Sequence, residues 1–130
     1  MLTDRVKKRM KIAESTRSGT NCIGTVLYVL GVSNYDTYIG SGEKRWEDGI
    51  VENLLEKMIK IQTPKEGAVL VIRGDRVEHM GIIVQEEPPG VYHRPGYNGF
   101  IEPNTPLADV ISRYQYPTIE IYTNAPSARD

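Results

Sequence analysis

The sequence predicts an α+β domain with N-terminal helices packed on an antiparallel β-sheet. Three observations predict it. Before Pro64 the apolar residues recur at helical spacing, and after Pro64 they form short β-rich runs. The chain has 130 residues, enough for one core and too few for two. Helices first and strands afterwards is the α+β order rather than the alternation of α/β units. One domain is expected over residues 1–124, with 125–130 a polar tail.

Leu2, Val6, Met10 and Ala13 make an amphipathic stripe behind Thr3, a good N-cap, and predict a helix over 4–14. Ser15 to Asn21 is a polar break. A second helix runs from Cys22 to Leu30, capped by Thr20 or Asn21 and stopped at Gly31. It is apolar nearly all round, the pattern of a buried helix. Residues 33–49, rich in Gly, Ser, Asp and Tyr, read as a long surface loop. Ile50, Val51, Leu54, Leu55, Met58 and Ile59 predict a third helix, ended by Pro64. Two β-rich runs, Gly67 to Arg73 and Val77 to Val84, flank a Gly74-Asp75 hairpin signal. After a Pro88-Pro89-Gly90 break come a short strand at Val91–His93 and a weaker run at Gly99–Glu102. A short helix from Leu107 to Tyr114 and a strand at Thr118–Thr123 complete the pattern.

Composition removes several functions. There is one Cys and there are two His, so neither an intramolecular disulfide nor a four-ligand Cys/His zinc site can be built. A formal net charge of −1 argues against nucleic acid as a partner. The charge is uneven, +4 over residues 1–17 and −5 over the rest, which reads as a solvated basic helix face. No apolar run reaches membrane-spanning length, so no membrane span is expected. The basic start is not followed by an apolar stretch. A cytoplasmic location is therefore expected, or secretion if a leader precedes this sequence.

The scarce residues fall in suggestive places. Cys22 opens the second helix, where unpaired backbone N–H groups and the helix dipole favour a thiolate. The Cys22 N–H would lie where an oxyanion could be held. The plainer alternative is a small buried hydrophobe. His79 lies on a strand whose alternation puts Val77, His79, Gly81 and Ile83 on one face. Gly81 leaves room there for the helix start to approach, so the imidazole can serve as general base. A hydrogen-bonded core His is the alternative. His93 is the natural orienter of His79, with Glu102 and Asn104 as substitutes. The rings meet if paired residue numbers sum to about 172–174, whereas about 176 keeps them apart. Tyr35, Tyr38, Tyr92 and Tyr97 can line a polar groove or be ordinary half-buried tyrosines.

Three stretches carry a resemblance. Asn21-Cys22-Ile23-Gly24 is similar to D-C-S-G, Pro64 to Ile72 (PKEGAVLVI) to a P-G-D-hydrophobic strand, and His79-Met80-Gly81-Ile82-Ile83 to H-V-G-I-Y. In this order, with His93 about a dozen residues after the third motif's His, they resemble the NlpC/P60 cysteine peptidases over roughly residues 15–102. The resemblance implies a papain-like α+β fold and hydrolysis of amide bonds, in most members those of bacterial cell-wall (peptidoglycan) peptides. It implies Cys22 as nucleophile, His79 as base and His93 as orienter. Asn21, Ser18, Tyr92 and Tyr97 would contact a peptide or glycopeptide substrate, and no cofactor or metal is implied. Asn21 and Ile23 depart from the family's Asp and Ser. Thr16-Arg17-Ser18-Gly19 stands where the family has an aromatic Y-x-W-G-G segment, whose Tyr helps line the site.

Three functions follow as expectations. The first is a Cys-His thiol hydrolase. The second, motivated by those departures, is a papain-like domain that binds a peptide or protein partner without catalysis. The third is a metal-assisted hydrolase using His79, His93 and Glu102, although no H-E-x-x-H motif is present.

Overall fold

The computed structural model describes residues 2–16, 19–37, 46–74, 76–96, 98–115 and 118–124. The elements are α1 (Asp4–Glu14), α2 (Cys22–Val29), α3 (Trp46–Glu56), β1 (Met58–Ile61), β2 (Val69–Arg73), β3 (Val77–Glu86), β4 (Pro89–His93), β5 (Glu102–Pro106), α4 (Leu107–Ser112) and β6 (Thr118–Asn124). The strands form one six-stranded sheet in the order β1-β6-β2-β3-β4-β5, antiparallel at every pairing. The fold is therefore α+β, helices on an antiparallel sheet. No described helix is long and apolar enough to cross a membrane. The tail at 125–130 lies outside the described residues.

Local chemistry sets the helix starts. Thr3 Oγ1 accepts the Val6 N–H at 3.1 Å, and Asn21 Oδ1 accepts the Gly24 N–H at 2.9 Å, which fixes where α2 begins. Every residue of α2 is buried. It packs between α1 and strands β3 and β4.

The sheet is buried on both faces, which explains the nearly continuous apolar runs of β2 and β3. On one face Val69, Val71, Met80, Ile82 and Tyr92 pack against α1, α2 and α3. On the other, Leu70, Ile72, Ile83, Val91 and Ile121 pack with Val110 of α4.

Four expectations are corrected. The third helix stops at Glu56, and Met58 and Ile59 begin β1, because their backbone pairs with Asn124 and Thr123 of β6. Met58-Ile59-Lys60-Ile61 continues a helical apolar rhythm, so only this distant pairing decides it. Pro89 and Gly90 belong to β4 rather than to a break, and the weak run at 99–102 gives way to a strand at Glu102–Pro106. Val77 does not share a face with His79. The register shifts between Ile72 and Arg73, which pair with His79 and Val77, and Val77 joins the helix-side core.

Candidate active site

The two histidines meet. Ile82 pairs with Tyr92 and Ile83 with Val91 in the β3–β4 hairpin, so paired numbers sum to 174. In that register the His79 and His93 rings lie edge to face, with Nε2 of His79 2.8 Å from Nδ1 of His93. Gly81 permits this approach. A Cβ there would stand 2.5 Å from a Val91 methyl and 3.3 Å from the His93 Cβ. The room beside Gly81 is therefore taken by β4 side chains, not by the start of α2 as the sequence suggested.

Beyond His93 the chain of contacts continues. Its Nε2 lies 3.1 Å from Glu102 Oε1. That carboxylate also accepts from Thr105 Oγ1 at 2.6 Å and from Arg113 through both oxygens, at 2.9 and 3.0 Å. The Thr105 hydrogen bond, ahead of those from Arg113 and His93, holds Glu102 below the usual carboxylate range. Asn104 donates instead to Gln85, away from His93. Glu102 thus extends the relay behind His93 rather than replacing it.

These contacts assign the tautomers. An ionised Glu102 only accepts, so His93 carries its proton on Nε2 and presents a bare Nδ1. His79 must then carry its proton on Nε2, which leaves Nδ1 as its basic lone pair. Burial, reinforced by His93 and Arg113, lowers the His79 pKa to about 3. Burial also lowers that of His93, against the opposing hydrogen bond to Glu102. Both rings are neutral at pH 7.

Cys22 sits beside the same stretch of β3. Its thiol donates to the Glu78 carbonyl at 3.9 Å, and the nearby Met80 N–H favours its thiolate. The sulfur therefore lies against the backbone on both sides of His79. The N–H groups of Cys22 and Ile23 also favour the thiolate, as expected of a helix start. Burial outweighs them and pushes the thiol pKa up, so the resting protein holds a neutral thiol rather than the expected thiolate.

The remaining predicted residues divide. Asn21 is 8% exposed and uses its side-chain oxygen to cap α2. Tyr92 does not line a groove: it is 2% exposed, in the helix-side core, and its hydroxyl donates to the Met10 carbonyl at 2.9 Å. Alternation sends it to the face opposite His93. Tyr35 is exposed. Ser18, Tyr38 and Tyr97 lie outside the described residues.

Two contributors escaped the sequence reading. Tyr114, just after α4, stacks on His79 with ring centroids 4.6 Å apart and planes 23° apart. Arg94 is fully buried and binds Thr25 Oγ1 (2.8 Å), the Ala13 carbonyl (2.8 Å), the Gly99 carbonyl (2.6 Å) and Asp36 Oδ2 (3.1 Å). Asp36 also accepts from Thr20 and Thr25. This cluster ties α1, α2 and the 36–37 segment together just before Cys22. Gly24 is needed there, since a Cβ would overlap the Thr37 carbonyl at 1.6 Å. The signal was a charged residue directly after a β-run, which composition alone does not distinguish from a surface Arg.

Among the described residues no group of three or more His, Cys, Asp and Glu side chains is arranged to hold a metal ion. His93 uses both ring nitrogens, on His79 and Glu102. No family profile, curated protein or solved structure matches this chain significantly.

Proposed function

We propose that the protein is a thiol hydrolase of papain-like, NlpC/P60 type that cleaves an amide bond in a peptide or glycopeptide, such as a cell-wall peptide. The observation that carries this reading is the ordered relay Glu102–His93–His79, ending on β3 where the Cys22 sulfur rests against Glu78 and Met80. A core histidine needs one partner for its N–H. Here the His79 N–H is held by His93, His93 is held by Glu102, and His79 follows directly on Glu78, whose carbonyl the Cys22 sulfur touches.

Because thiol and imidazole both rest neutral, activation is by general base rather than by a standing ion pair. His79 Nδ1 takes the thiol proton as the sulfur bonds to the substrate carbonyl carbon, and the carbonyl electron pair moves onto oxygen. The oxyanion collapses, the C–N bond breaks, and the amine leaves with the proton from His79. Water then gives a proton to His79, attacks the thioester and frees the acid, and the proton returns to sulfur. Glu102 and His93 steady the imidazolium in each half-reaction.

The test is the rate at which iodoacetamide alkylates Cys22. His79→Ala should slow it at least tenfold, a conservative share of the ~10²–10⁴ that general-base help supplies. Equal rates in the two proteins would remove the catalytic reading. The burial of Cys22, 8% exposed, favours a second reading, a non-catalytic domain that binds a peptide partner. Partner capture that survives Cys22→Ser, with no turnover of a peptide pool, would select it.

A further inference from the structure

We propose that Tyr114 touches the substrate: its phenol O–H donates to the carbonyl oxygen of the group being transferred to Cys22. This rests on the thiol-hydrolase reading and adds a residue to it. Three observations lead there. The Tyr114 ring lies on the face of His79, 4.6 Å away and within 23° of parallel, so the phenol is fixed relative to the base. Its hydroxyl makes no hydrogen bond among the described residues although the side chain is partly buried, whereas Tyr92 and Tyr122 direct theirs to Met10 and Glu120. A partly buried hydroxyl with no partner among the described residues is available to a ligand.

The third observation is electrostatic. Burial and then the Cys22 sulfur raise the Tyr114 pKa to about 12, which places the phenol within reach of the sulfur's charge. A phenol with that pKa keeps its proton at any working pH and can only donate to an anion. With the Cys22 backbone N–H it supplies a second donor on the side of His79.

The experiment compares two reagents on Cys22. Iodoacetamide reports thiol activation, because its alkylation builds no oxyanion. p-Nitrophenyl acetate reports oxyanion stabilisation: the sulfur bonds to the acetyl carbon, the carbonyl pair moves to oxygen, and p-nitrophenolate leaves as the oxyanion collapses. The thiol proton goes to His79. Tyr114→Phe keeps the stacked ring and removes the donor. Expected is alkylation within about twofold of wild type and acylation slowed at least tenfold, a conservative share of the ~10²–10³ that one such donor supplies. Tyr114→Leu, which also removes the stack, should slow both reactions.

Unchanged acylation in Tyr114→Phe would overturn the proposal. So would equal slowing of both reactions, which would mean that the hydroxyl acts on thiol activation instead. A wild-type Cys22 that alkylates readily but resists the ester would overturn it as well. Failure of the hydrolase reading looks different, namely alkylation that does not depend on His79.

Discussion

His93 and Arg94 are consecutive and both fully buried, yet their side chains leave opposite faces of the sheet for two different polar clusters. His93 joins a relay of neutral, titratable rings that reaches solvent at Glu102 and Arg113, whose side chains are 36% and 41% exposed. Arg94 joins a closed cluster around Asp36, whose side chain is 3% exposed, with every partner on α1, α2 or a nearby turn. One cluster can move a proton. The other carries a fixed charge pair and holds α2, hence Cys22, at the edge of β3. The proposed nucleophile and the proposed base are therefore supported separately, one from each face, and each support can be broken alone.

The largest expected effect is on the Arg94 side. Arg94→Met leaves Asp36 buried without its cation, and removing one partner of a buried pair costs about 3–5 kcal/mol. Urea unfolding should show that loss, and Asp36→Asn added to Arg94→Met should recover part of it. A loss below about 1 kcal/mol would show that packing of α2, not this cluster, holds the helix.

The relay gives a smaller effect that depends on pH. The His79 pKa is about 3 in the folded protein, against about 6.5 in an unfolded chain. Between those values the unfolded chain binds the extra proton, so stability rises with pH across the window. It is fully present above about 6.5 and is lost as pH falls toward 3. At pH 5 the loss from one such histidine is about 2 kcal/mol relative to pH 7.5. His93 shifts in the same direction, and Glu102 adds a loss of the same sign at lower pH. Urea midpoints at the two pH values check this, and a flat profile would mean that the rings are charged in the folded protein.

The two clusters differed in how far the sequence announced them. Cys22, His79 and His93 stood out because thiol and imidazole are scarce here, and the alternation of β3 put His79 on a definite face. Whether His93 could reach it depended on the hairpin register, and a pairing sum of 174 instead of 176 is set by backbone pairing that composition does not encode. Arg94 and Asp36 were hidden because a charged residue after a strand and an Asp in a polar loop ordinarily face water. β5 was equally opaque. Glu-Pro-Asn-Thr-Pro has turn chemistry, and it becomes a strand by pairing with β4. Tyr92 lies in the core rather than in a groove because alternation fixes its face relative to His93 but not which face is core, and here both are.

The smallest effect on stability, and the sharpest separation of the two clusters, should come from Glu102→Gln. Glu102 is more than a third exposed, so its contacts with Arg113 are screened and global stability should move little. The substitution keeps size and shape but removes the negative charge that, in the proposed mechanism, steadies the imidazolium formed when His79 takes the thiol proton. It also leaves the Arg113 cation beside His93 without its counter-ion. Alkylation of Cys22 by iodoacetamide should slow about tenfold, less than when the base itself is removed, because Glu102 acts through His93. In the same measurements an Arg94 variant with a lowered urea midpoint should, once folded, alkylate much as wild type does. Should Glu102→Gln lower the midpoint as far as Arg94→Met and leave alkylation untouched, the relay would be a second structural clamp. The division of labour between the sheet's two faces would then be wrong.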